Sequence, residues 1–343
     1  VMVPVLVLGA CTMSGTGGPA AAVAPRSAGS LVPDAGSGDV RVALGPKARQ
    51  FLSGTTPASA IARATGAPAR RPLRVYAELR PGEGDAARAA RGVATLRRAG
   101  GLSRSAVVVV VPTGSGWVDP AAVSAVETLA GGDVATLAVQ YADVPSWVAY
   151  LRGAGAAERS AAATIRDARA LLDTVPPSRR PRLLVYGESL GALGGLRALD
   201  GAATAIDGAL WVGVPADVAE LGRRARRDGQ TVLVHRNDPV AAWSAALAVR
   251  PASGWRSAWW PVVTFWQATA DPVPAYSTPD GFGHRYGAEL VDGWRPVVVR
   301  AGVVAPAAAT TAEIRESKLT GVRQLVTQTS DGGSSLPSRQ PGT

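Results

Sequence analysis

"LLVYGESLGALGG", residues 183–195, decides how this chain is read. An apolar run over 183–186 breaks at Gly187 into an acid, a serine, a leucine and Gly191, then passes at once into small, helix-compatible residues. Two readings compete. One is a plain strand-to-helix turn that needs small neighbours. The other is a nucleophile elbow, in which Ser189 sits on strained backbone with its hydroxyl raised above a sheet, and the flanking glycines make room for it. The motif alone recurs by chance, so the rest of the chain has to discriminate.

Working outward, short apolar runs alternate with helical stretches. The runs 73–79, 106–112, 134–141, 182–187, 208–214 and 231–236 read as strands. They are near-continuous Val and Leu rather than alternating, which suggests burial on both faces. Between them, 84–99, 119–130, 146–175, 190–200 and 215–228 have helical composition, and Asp119-Pro120 resembles an N-cap followed by proline at the first helical position. This alternation predicts an α/β fold: a mostly parallel central sheet with helices on both faces. Ligands of such sheets bind beyond the carboxyl ends of the strands, and Ser189 lies just past one of those ends.

A serine hydroxyl needs a base, and histidine suits the task near neutral pH. The chain holds only two. His235 falls inside the 231–236 run and reads as a packed histidine of a buried strand. His284, in the glycine-flanked "DGFGHRYG", reads as the base, since a serine–acid–histidine order demands a histidine on a loop beyond the last strand. The orienting carboxylate should follow a strand end between them. Two Asp-Pro-Val triplets compete, beginning at Asp238 and Asp271. Asp238 is favoured, because it directly follows the strand two positions beyond the serine's. For the oxyanion, one N–H should come from Leu190 and another from the loop after 106–112, where Pro112 has none to give and Thr113 or Gly114 is the candidate.

Five of the nine tryptophans fall in 243–266. An insertion there would lie over the site, so Trp243 and Trp266, with Trp117 of the oxyanion loop, are candidates for lining an apolar acyl pocket. Packing within the insertion is the alternative. No metal site or cofactor is expected.

The ends differ from the body. Residues 1–45 comprise an apolar start and a Gly-, Ala-, Ser- and Pro-rich linker, 46–302 the catalytic body, and 303–343 a low-complexity tail. The start, "VMVPVLVLGAC", is too short to span a bilayer. Its end resembles a lipobox with Cys11 as the lipidated residue; a truncated membrane helix and an incidental apolar start are the alternatives. Either of the first two puts the body at the cell envelope, outside the cytoplasm. Cys11 is the only cysteine, so no intrachain disulfide can form. The net charge is +10, yet only Lys47 and Lys318 among the 36 basic residues are lysines, as GC-rich coding would produce. The arginines are scattered and no nucleic-acid-binding motif is present, so a solvated basic surface is expected and nucleic acid is not a partner.

With these residues in hand, the chain resembles the actinobacterial α/β-hydrolase family whose members usually carry an N-terminal multi-span membrane domain. The matching pieces include "LGPKARQFLSG", "VVPTGSGWVDPAAV", "VYGESLG", "DGALWVGVP" and "GHRYGAELVDGW", and span about 43 to 300. The resemblance implies the α/β-hydrolase fold and places the family's serine, acid and histidine on Ser189, Asp238 and His284. The matching pieces do not include the multi-span domain. The expectation is a serine esterase acting on a small-molecule or lipid ester, membrane-associated through its N-terminus. An acyltransferase using the same triad, or a catalytically silent binding module, is the alternative.

Overall fold

The computed structural model describes residues 44–144, 155–238, 241 and 283–304. All of them belong to one unit, 32–343. Cys11, Trp243, Trp266 and Asp271 lie outside the described residues, as do nearly all of the expected insertion and the tail from 305.

Six strands form: β1 (Leu73–Ala77), β2 (Ala106–Val111), β3 (Val134–Val139), β4 (Arg182–Glu188), β5 (Gly208–Val212) and β6 (Thr231–Leu233). They make one sheet in the order β1-β3-β2-β4-β5-β6, and every pairing is parallel. The helices are α1 (Pro46–Ser53), α2 (Ala58–Thr65), α3 (Asp85–Arg98), α4 (Pro120–Leu129), α5 (Gly155–Asp173), α6 (Leu190–Leu199), α7 (Ala219–Arg227) and α8 (Glu289–Arg300).

The unbroken valines of β2 have a plain cause. Its side chains alternate between two cores: Val107, Val109 and Val111 join the layer that holds α3, α5 and α6, while Ala106, Val108 and Val110 join the layer that holds α4 and α8. Every β2 residue is buried, and each valine contributes about 1.5–3 kcal/mol relative to exposure. Branched side chains also suit the pleat. The edge strand β6 is only half-buried. Among the described residues, no helix is long and apolar enough to cross a membrane.

Helix starts follow local chemistry. Asp119 caps α4 by accepting the Ala121 N–H at 2.6 Å, with Pro120 at the first helical position. Two helices ahead of β1 escaped the sequence reading. Their tie to the body is a buried ion pair: Arg74 of β1 donates to both carboxylate oxygens of Glu127 on α4, at 2.6 and 2.8 Å. The same arginine donates to the Phe51 carbonyl of α1, and Glu127 accepts the Thr56 N–H and hydroxyl between α1 and α2.

Candidate active site

Ser189 stands between β4 and α6 with φ 55° and ψ −119°. Among the described residues it is the only non-glycine with positive φ. Such backbone costs about 1–3 kcal/mol and persists where the surroundings over-determine it. Here they do. The Ser189 N–H donates to the Val212 carbonyl of β5 at 2.9 Å, and its own carbonyl accepts from Leu193 at 3.0 Å. A side chain at Gly187 would meet the Gly191 carbonyl at 2.6 Å, and one at Gly191 would collide with the Val111 carbonyl at the end of β2. Both glycines are therefore required by close backbone approach, and the second brings the start of α6 beside the loop that leaves β2.

That approach puts two kinds of N–H near one another. Leu190 opens α6, where N–H groups have no intrahelical partner and the helix dipole favours negative charge. In the facing loop, Thr113 N–H donates to the Trp117 carbonyl at 3.0 Å, and Gly116 N–H to the Thr113 carbonyl at 2.8 Å. Thr113 is thus committed to the loop's own turn. The Gly114 N–H makes no backbone hydrogen bond among the described residues. Tyr76 of β1 stiffens the loop by donating to the Gly116 carbonyl at 2.6 Å. Trp117 is half-buried at the loop's end.

Asp238 and His284 meet although they are 46 positions apart in sequence: His284 Nδ1 is 2.9 and 3.0 Å from the two Asp238 oxygens. Asp238 follows β6, the second strand beyond β4 in the sheet, and its side chain is fully buried. A carboxylate only accepts, so Nδ1 donates and carries a proton. The imidazole lies over the end of β5. A Cβ built on Gly213, the residue after Ser189's partner Val212, would fall 2.6 Å from His284 Cε1. Ser189 and the His284–Asp238 pair therefore both meet the backbone at the end of β5, at Val212 and Gly213 respectively.

Three further groups complete the neighbourhood. Tyr286 donates its hydroxyl to Asp238 Oδ2 at 2.6 Å, helping to satisfy the buried acid. Burial, with the Asp238 charge beside it, raises its phenol far above the ordinary range, so it remains a donor. Glu188, directly before Ser189, is buried; desolvation first, then the charges of Asp119 and Asp238, push its carboxyl well above the usual range, against the opposing hydrogen bond from Tyr186 at 3.0 Å. His235 is not inside a strand as the sequence suggested. β6 ends at Leu233, and the His235 carbonyl instead closes a turn by accepting the Asp238 N–H at 3.2 Å. None of these roles had a sequence signal. They depend on which residues the strand ends bring together.

The sequence model of an alpha/beta-hydrolase family matches residues 73–232 and 217–311, most of the chain. The chain belongs to that alpha/beta-hydrolase family. The six-stranded parallel sheet and the strand–Ser189–helix turn fit the α/β-hydrolase fold, whose members are generally hydrolytic. No curated protein and no solved structure matches the chain.

Proposed function

We propose that this α/β-hydrolase is a serine hydrolase of the esterase type. The observation that carries the reading is the strained Ser189 backbone, bonded to the end of β5, the strand end over which the His284–Asp238 pair lies. Strain of that kind at a single polar residue is what an exposed nucleophile requires.

In this reading Ser189 Oγ attacks the acyl carbon while His284 Nε2 takes the hydroxyl proton. Asp238 keeps Nδ1 protonated and the ring oriented, and stabilises the imidazolium as it forms. The carbonyl oxygen becomes an oxyanion held by the N–H groups of Leu190 and Gly114. His284 then returns the proton to the departing alkoxide, leaving an acyl-Ser189. Water, activated by the same histidine, releases the acid. Trp117, with Trp243 and Trp266 from the insertion, is proposed to line the acyl pocket. An envelope location with Cys11 lipidated rests on the N-terminal segment alone, and a lipid ester is the substrate that location favours. Hydrolysis of short-chain chromogenic esters by wild type and by folded Ser189→Ala tests the reading. Turnover should fall by several orders of magnitude in the variant; equal turnover in the two would refute it.

A further inference from the structure

The second histidine is placed against the loop that carries the first. His235 Nδ1 lies 2.8 Å from the Gly283 carbonyl, one residue before His284. Its Nε2 lies 3.0 Å from Glu289 Oε1, in the first turn of α8. Its ring stacks on Tyr286 at 4.2 Å, and its backbone N–H reaches the Tyr286 hydroxyl at 3.3 Å, the same hydroxyl that binds Asp238. The imidazole thus touches the His284 loop on both sides of His284, and α8 as well.

Counting protons gives this arrangement its consequence. A carbonyl can only accept, so Nδ1 must donate to Gly283. A neutral imidazole has one N–H, and that one is then used. The Nε2–Glu289 contact needs a second proton, carried either by the ring as imidazolium or by the carboxyl. Without it, two lone pairs face each other at 3.0 Å, and the ring must surrender either Gly283 or Glu289. Gly283 has φ 64°, a conformation that favours glycine. Glu289 and Tyr286 are titratable side chains in contact with the ring, and the Asp238 N–H meets the His235 carbonyl.

We propose that His235 is a positioning residue: with Glu289 it shares one proton that pins the Gly283 carbonyl and so holds His284 in register with Ser189. The inference rests on the esterase reading, but its test includes a readout that does not. When the shared proton leaves, the loop loosens and ester turnover declines on the alkaline side. Displacement of a catalytic group by about 1 Å is enough to cost on the order of 10²-fold.

Glu289→Gln is the discriminating variant. A glutamine amide N–H can donate to Nε2 of a neutral ring, so both contacts persist without the extra proton. The kcat profile of wild type should fall at high pH, and that fall should be missing in Glu289→Gln. His235→Ala should lose about ten- to a hundredfold in kcat with little change in KM. Ring nitrogen NMR of the wild-type chain, whose two histidines are assigned with His235→Gln, gives the independent arm. The signals of His284 should shift as His235 loses its proton, and should be insensitive to that pH step in Glu289→Gln. If His284 signals do not respond to His235, the proposal is overturned whether or not the protein cleaves esters. If they respond but no ester is cleaved, the positioning stands and the esterase reading fails.

Discussion

Gly213→Ala places one methyl group where the account says it matters. The built Cβ lies 2.6 Å from His284 Cε1, 3.0 Å from Nδ1 and 3.3 Å from Asp238 Oδ2. Ordinary contact distances between such atoms are about 3.5–4.0 Å, so the imidazole must retreat by about 1 Å. A displacement of that size costs on the order of 10²-fold in turnover when it moves a proton-transfer group. The backbone adds a separate burden, since Gly213 has φ +57° and alanine is disfavoured there by about 1–2 kcal/mol. Gly201→Ala separates the two effects. That position has φ +70° and nothing within 4 Å of its added Cβ, so it carries the strain without the collision. Thermal melting should show similar modest losses in both variants. Chromogenic ester hydrolysis should fall about a hundredfold in Gly213→Ala and stay near wild type in Gly201→Ala. Equal turnover in the two alanine variants would refute the placement of His284 over the end of β5.

Three other outcomes are expected. Glu127→Ala leaves the Arg74 guanidinium buried without its carboxylate, and should cost about 3–5 kcal/mol in denaturant unfolding; a loss under about 1 kcal/mol would show that the α1–α2 segment is not tied through this pair. Glu188 has its folded-state pKa raised by burial, so the stability tied to its proton is complete below the ordinary carboxylate pKa and is lost as pH rises through the folded value. Glu188→Gln keeps a neutral group, and its melting temperature should therefore gain on wild type as pH rises above the ordinary carboxylate range; a constant difference would argue against a protonated Glu188. Asp238→Asn should lower turnover by about 10⁴ with folding intact, whereas Asp271→Asn should lower it much less; the reverse order would move the acid to the later aspartate.

How much could be read beforehand follows from where each signal resides. The six strands were legible because a strand sandwiched between two helix layers must be apolar at every position, as β2 is. The glycines around Ser189 were legible because close backbone approach leaves no other residue possible. The α1–α2 tie was not, since Arg74 and Glu127 are 53 positions apart and each alone looks like a surface charge. The sequence extended the last strand to 236. At a sheet edge with little burial, nothing in "TVLVHR" marks where pairing stops, and the turn into Asp238 ends it at Leu233. Tyr286 and Glu188 carry no local pattern, and their roles exist only once the strand ends converge. That the Thr113 N–H is taken up inside the loop's own turn likewise had no local pattern.

Ser189 is proposed to be the group that reacts. A fluorophosphonate phosphonylates an activated serine with loss of fluoride and is ignored by unactivated hydroxyls. Incubating the folded protein with such a probe, then locating the adduct by peptide mass spectrometry, tests the claim directly. One adduct per chain is expected, on Ser189, absent from Ser189→Ala and strongly slowed in His284→Ala. Labelling at a different serine, or none at all in a folded wild-type protein, would contradict it.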